Sequence, residues 1–472
     1  SPAHQLAVCE GLLRCAEGMS GAAATAIYDK LRALPNQPHH VRVAALSGAI
    51  RSRGAQGVPL MVEAIRTASY VPAVDAMRVS LDLPGAEVTR ALVEALAQAN
   101  EEKQLLLMQT LGNRGDTTAI PALVPLAQQG SARRRIAAIR SLVQLATPAS
   151  LPVLTALVKD TEPTVSSAAL TGLTGFPGGA ADAAVVDLLT KSDVSMRGAV
   201  IDAVAQRRIK TAIPALLKTA GEAEAGVASA SFKALGELAE AAELPGVIDA
   251  LFQTKALTAG EVTLSAICAR QKDATSCTDK LVSGLAKAQG EPKLALLRVL
   301  GTIDHPKALA AVRAAVADAD ASVKETAVRV LCDWPTVEAL ADLAEIAKMN
   351  ADAKFKLLAL RGQLRLIPMQ NVAAAQKVSQ LKQILPLLDQ KEEQRLALAA
   401  LGELPSKESL AVIMPYLTGE GLKEEASVAA VAVGEKIIAS HPAEVAEAMK
   451  RVQTSNSQLA ERARKLLARV PR

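Results

Sequence analysis

Residues 120–152 read IPALVPLAQQGSARRRIAAIRSLVQLATPASLP. An apolar-Pro pair, Ile120-Pro121, opens the stretch, and Leu151-Pro152 follows 31 residues later. Proline is tolerated in the first turn of a helix, where the missing N–H has no intrahelical acceptor. The second half of the stretch places Ile139 and Leu142 at i, i+3, the spacing of a buried helical stripe. The segment therefore reads as helix, short turn, helix. Two helices of this length cannot bury their apolar faces alone, so the pattern makes sense only if copies stack on one another.

Copies are present. Val58-Pro59, Ile120-Pro121, Leu151-Pro152, Ile213-Pro214 and Leu244-Pro245 are separated by 62, 31, 62 and 31 residues. Thr89-Arg90 and Asp182-Ala183 stand at the skipped positions and open helical runs without the proline. Leu46, Met77, Met108, Ile139, Leu170, Ile201 and Phe232 keep the 31-residue step, and so do Ala49, Ser80, Leu111, Leu142, Leu173, Val204 and Leu235. Downstream, first-helix runs start near Cys277, Ala308, Leu340, Leu381, Leu410 and Val445, with a long step of 41 residues before Leu381. Extra helix between Met369 and Gln380 is the expected filler. The predicted fold is all-α, a right-handed α-α superhelix of about 13 helical hairpins. Regular repeats are expected over 37–256 and less regular ones, continuing the same solenoid, over 257–472. The first 36 residues depart from the pattern and are expected to form an atypical N-terminal hairpin that caps the stack.

Composition limits the function classes. Of 472 residues, 50% are hydrophobic, yet there are only one Trp, three Tyr and four Phe. Such a chain has enough apolar surface to fold, which excludes disorder. Its 53 Lys+Arg against 48 Asp+Glu leave +5, too near balance for a strongly basic nucleic-acid or membrane-surface protein. No uninterrupted apolar run reaches eighteen residues, so no transmembrane helix is expected. The chain starts at Ser1 without a Met, which leaves room for a removed signal peptide or a longer precursor.

On the segments Val41-Arg42-Val43-Ala44-Ala45-Leu46, Arg135-Ile136-Ala137-Ala138-Ile139, Asp193-Val194-Ser195-Met196-Arg197 and Val323-Lys324-Glu325-Thr326-Ala327-Val328, the chain resembles compact HEAT-type repeat proteins. That resemblance implies a ladder between units, with an acidic residue before the second helix and a basic residue in its first turn. Asp193 with Arg197 and Asp320 with Lys324 fit it; Arg42 and Arg135 occupy the basic column, and Gln104 and Ser166 interrupt it. Residues 1–36 look like a tetratricopeptide-style hairpin. The Cys9 and Cys15 hairpin, the PHHVRVAALSGAI unit and the Cys268 to Cys277 hairpin are similar to HEAT-repeat regions of exported planctomycete-like and verrucomicrobium-like bacterial proteins. This implies a periplasmic or extracellular location, with the cytoplasm as the alternative.

Chemistry-bearing motifs are scarce. No HExxH, Walker loop or GxSxG occurs, and none of His4, His39, His40, His305 and His441 is followed by Glu. His305 and His441 precede prolines and read as turn or cap residues, while His39-His40 opens a second helix. Trp334 reads as cover for an apolar edge, and Arg133-Arg134-Arg135 and Arg207-Arg208 with Lys210 as solvated faces. No catalytic, cofactor-binding or metal-binding residue is assigned, and no cofactor is expected. Cys9 and Cys15 lie six residues apart on one helix and cannot bridge within it. Cys268 and Cys277 flank a helix-helix turn and are candidates for a disulfide, two buried free thiols being the alternative; Cys332 reads as core. The function expected is a non-enzymatic scaffold or interaction protein that binds a partner protein or domain through the solenoid surface. A groove-type enzyme or bilin-lyase-like chaperone is the alternative, and a nucleic-acid binder comes third.

Overall fold

The computed structural model describes residues 2–67, 69–222, 224–349, 353–419, 421–453 and 457–470. The chain forms two compact units, Ser1–Leu216 and Leu217–Arg472. Each is an all-α solenoid in which helix pairs stack in sequence order, with no strand among the described residues. The N-terminal hairpin pairs Pro2–Glu17 with Gly21–Ala33 and packs on the helix His39–Arg53.

Within a unit the local chemistry repeats with the sequence. First helices begin at Ile120, Leu151, Ile213, Leu244 and Leu340, each directly after a three-residue 3-10 turn. Second helices begin after a capping side chain. Asn100 accepts from the Lys103 amide (3.1 Å), Ser131 from Arg134 (3.3 Å), Asp193 from Met196 (3.1 Å) and Asp320 from Ser322 (2.8 Å). Such caps satisfy donors that the first helical turn cannot, at about 1 kcal/mol each. The second helices end in left-handed residues at Gly115, Ala146 and Arg208, with φ of 70°, 52° and 56°. Glycine takes that conformation without steric cost, whereas Ala146 and Arg208 hold it against their Cβ atoms.

The apolar columns are the core. Met77, Met108, Ile139, Ile201 and Phe232 are at most 2% exposed, and Leu111, Leu142, Leu173, Val204 and Leu235 are fully buried. Small residues let second helices approach: a methyl group at Gly112 would lie 3.1 Å from the Cα of Ser141, and one at Gly402 would lie 3.1 Å from the Cα of Ala429. Ser141 and Thr263 use their hydroxyls across the same seam, donating to Met108 O (2.8 Å) and Phe232 O (2.7 Å).

The C-terminal carbonyls of a second helix have no helical partner, and at several seams an arginine from the next second helix supplies one. Arg207 is 8% exposed and donates to Leu173 O (3.0 Å), Thr174 O (3.0 Å), Phe176 O (2.6 Å) and Gly178 O (2.6 Å) while gripping Asp182 at 2.7 and 2.9 Å. Arg114 reaches back in the same way to Ser80 O, Leu83 O (3.0 Å) and Gly85 O (3.1 Å). Arg270 bonds Gly236 O and Ala239 O, and Arg365 bonds Cys332 O and Trp334 O. A planar guanidinium with five donors can reach a longer row of carbonyls than an ammonium with three.

Three expectations change. Met369 to Gln380 contain no additional helix: they end a 3-10 turn (Ile367–Met369), make a connection and start the helix Ala374–Ile384. The 41-residue step arose because Leu381 lies two turns inside its helix. Arg207 is no solvated side chain but a buried clamp. Trp334 does not merely cover an edge; it is 1% exposed, inside the core.

Replacing Ile139 by Asp puts an uncompensated charge into this seam and should cost about 4 kcal/mol, read as a lowered thermal midpoint by circular dichroism. Arg207→Met leaves several buried carbonyls unpaired and should cost about 2–4 kcal/mol in urea unfolding. Arg207→Lys should not restore it, because an ammonium cannot span the carbonyl row.

Candidate functional site

The second helices of the unit Ser1–Leu216 share one face, and two cavities open on it. The first, about 780 Å³, lies between the N-terminal hairpin and the helix His39–Arg53; its lining includes Tyr28, His40, Val43, Ala44, Ser47 and Arg51. The second, about 660 Å³, is lined by Leu105, Gln109, Arg133, Ile136, Ala137, Arg140, Ser141, Gln144 and Thr164. These are the same surface positions three repeats apart, since His40, Val43, Ala44, Ser47 and Arg51 stand 93 residues before Arg133, Ile136, Ala137, Arg140 and Gln144. The register that builds the core thus also aligns the groove.

Along that register Val43, Val74, Leu105 and Ile136 form a half-buried aliphatic stripe, and the next two positions, Ser167 and Gly198, end it. The floor of the first cavity is closely packed: a methyl group at Gly48 would lie 2.2 Å from the Tyr28 ring, and burial raises the Tyr28 pKa above the usual phenol range. One edge of the face is laced between neighbours, Arg51 holding Asp82 through two bonds of 3.0 and 2.7 Å and Gln144 donating to Asn113 (2.5 Å). The other edge is open. Arg133 and Arg140 are exposed and have neither a hydrogen-bond nor an ion-pair partner among the described residues. Ser47 is 4% exposed with an unpartnered Oγ in the first cavity. The arrangement offers an apolar track edged by guanidinium groups that have no partner among the described residues, a surface that can grip a chain.

The ladder residues take several different roles. Arg135 pairs with Asp160 of the next unit, the two side chains being 13% and 14% exposed, and also donates to Ala127 O (3.1 Å). Asp193 caps its helix and bonds Ser195 Oγ (2.7 Å), while Arg197 donates to Ser192 O (3.0 Å). Asp320 is likewise a cap, Lys324 is half-buried, and Arg42 is exposed. The pair equivalent to Arg135–Asp160 in the second unit is Lys293–Asp318 at 2.7 Å, with the same separation of 25 residues. Its signal in the sequence is an acidic residue in the turn before the second helix, not the capping residue itself. His305 caps the helix Pro306–Ala315 by accepting from the Lys307 amide (3.2 Å), and His40 lies 3.6 Å from Glu10. No group of three or more potential metal ligands occurs among the described residues. Cys268 and Cys277 are buried free thiols in hydrogen-bond contact; burial, then that neighbour, raises the Cys268 pKa. Burial likewise pushes the Cys332 thiol up to about 12. No helix among the described residues is long and apolar enough to cross a membrane.

Comparison with known proteins agrees with this geometry. A model of HEAT repeats matches residues 89–174, the segment that contains the second cavity. No curated protein matches the chain by sequence. Among solved structures, the karyopherin Kap121p bound to the extreme C-terminus of the protein phosphatase Cdc14p is similar at TM-score 0.51 and 10% identity, over 91% of this chain and 55% of that one. Kap121p bound to Nup53p is similar at TM-score 0.51 and 11% identity, over 94% and 56%. A homology model of the full-length AP-3 complex in an intermediate open conformation gives TM-score 0.51 and 12% identity, over 97% and 96%. The chain spans little more than half the length of the Kap121p chains. These likenesses establish HEAT-type solenoid architecture and nothing finer.

The bond from Arg135, opposed by a smaller cost of burial, lowers the Asp160 pKa below its ordinary carboxylate range. A depressed folded-state pKa gives stability that is fully present above the unfolded value near about 4 and is lost as pH falls through the folded one. Asp160→Asn should therefore lower stability by about 1–2 kcal/mol at pH 7 and flatten the acid limb of the unfolding profile, as checked by urea titrations from neutral to strongly acidic pH.

Proposed function

We propose that the protein is a non-enzymatic interaction scaffold that holds a partner protein along the second-helix face of the unit Ser1–Leu216. One observation carries the reading: two cavities recur on equivalent positions of the repeat, joined by an aliphatic stripe and edged by arginines without partners among the described residues. A half-exposed apolar track rimmed by polar groups is the composition of a protein-binding surface. Similar architectures bind proteins, as the Kap121p complexes with Cdc14p and Nup53p illustrate for that karyopherin.

The proposal extends to the compartment. Likeness to exported HEAT-repeat regions of planctomycete-like and verrucomicrobium-like bacterial proteins, together with the adjacent Cys268 and Cys277 thiols, supports a periplasmic or extracellular location where such a pair oxidises. The staple would close a loop of about ten residues, a stabilisation of about 2–3 kcal/mol in the chain-entropy model.

Two measurements check these statements. A photo-cross-linking residue at Gln109, which is exposed in the second cavity, should capture a partner from native extract, whereas one at Lys450, exposed on the helix Pro442–Val452, should not. Capture at Lys450 alone would move the interaction off this face. Unreduced peptide mapping of protein taken from its native compartment should find Cys268 linked to Cys277, and alkylation of both thiols without reduction would remove the staple and the export reading with it.

A further inference from the structure

Resting on that reading, we infer that the segment bound by this face is an extended stretch of a partner protein that carries carboxylates and places an aliphatic side chain at every third position. The charge of the second cavity sets the first half of this description. Arg133 and Arg140 are its only charged lining residues, both exposed and both unpaired among the described residues, whereas Arg51 and Arg135 nearby are already neutralised by Asp82 and Asp160. Guanidinium groups left without an internal counterion beside an apolar floor are matched by carboxylates on the incoming chain, with bidentate geometry available at each. A basic segment would meet like charge here.

The repeat geometry sets the second half. The stripe positions Val74, Leu105 and Ile136 come from successive second helices, which pack about 8–10 Å apart. A polyproline-II-like chain rises about 3.1 Å per residue, so every third side chain recurs at about 9 Å. Such a chain, laid across the helices, drops one aliphatic residue on each stripe position while the residues between them reach the arginine edge. A helical ligand repeats its apolar face at about 5.4 Å per turn and would seat only every second turn on a track of this pitch, leaving the turns between without a position.

The test uses the full chain and three fluorescein-labelled twelve-residue peptides made of Leu-Glu-Asp, Leu-Lys-Ser or Ser-Glu-Asp triplets, with binding read by anisotropy at about 0.1 M salt, where surface charges are screened beyond about 10 Å. The Leu-Glu-Asp peptide should bind saturably and the other two at least tenfold more weakly. Arg133→Glu combined with Arg140→Glu should weaken Leu-Glu-Asp binding at least tenfold with an unchanged circular dichroism spectrum, since both side chains are exposed; Lys450→Glu should leave it unchanged. Equal binding of the Leu-Lys-Ser peptide, or insensitivity to the double charge reversal, overturns the acidic identity while the face remains an interaction surface. If no peptide binds yet the Gln109 cross-linker still captures a partner, the extended segment is wrong and the scaffold stands. If neither gives a signal, both fall.

Discussion

A helix that ends inside a stack leaves carbonyl oxygens pointing at the neighbouring layer, and in this protein that layer repeatedly offers them an arginine. Four seams between second helices are finished in that way among the described residues. Apolar burial brings the helices together without direction, but it cannot tolerate a row of orphan carbonyls at the seam, each costing as much as a lost hydrogen bond. Arg114, Arg207, Arg270 and Arg365 resolve the conflict by reaching back into the preceding turn. Where the position is apolar, as at Leu145 and Leu238, the side chain is buried instead. The seam is thus closed either by a multidentate cation or by hydrocarbon, and the choice varies along the chain.

Much of the architecture was legible because one number recurs at every level. The 31-residue step that places Met108, Ile139 and Ile201 in the core also sets the separation of Arg51 from Asp82 and of Thr263 from Phe232 O. Periodicity reports faces well, since a buried face tolerates few residue types. The clamp was not legible for the same reason. Arg207 beside Arg208 and Lys210 is indistinguishable, as sequence, from a solvated cluster; its fate is decided by which carbonyls the previous helix leaves open. The ladder was half visible. Arg135 was in the expected column, but its partner is Asp160 in the turn, whereas the acidic residues nearer the helices, Asp193 and Asp320, are committed to capping. The capping carboxylates Asp193 and Asp320 stand one residue before their helices, whereas the ladder carboxylates Asp160 and Asp318 stand three before theirs, a difference of two positions that the expected ladder pattern did not distinguish.

The groove was legible only as an architecture. Nothing in the order of the amino acids marks Arg133 and Arg140 as unpaired, because pairing depends on neighbours about one repeat away, as the 31-residue separation of Arg51 from Asp82 illustrates. Once the helices are in place, one column of the face runs from Arg51, neutralised by Asp82, to Asn113, which accepts from Gln144, and so ends without charge. On the adjoining edge Arg133 and Arg140 have no partner among the described residues. Near-neutral net charge therefore conceals a local imbalance on one face, and composition, which averages over all faces, argues against bulk electrostatic attraction without speaking to local recognition.

The clamps also have a direction. Every one of them is carried by the later helix and spent on the earlier one, so no clamped unit is chemically complete until the residues of its successor exist. A chain emerging from the ribosome would hold each newest pair with open carbonyls for the time needed to make one further repeat, on the order of seconds at ordinary synthesis rates. Assembly in such a stack is ordered like a zip, in which each tooth is locked by the next.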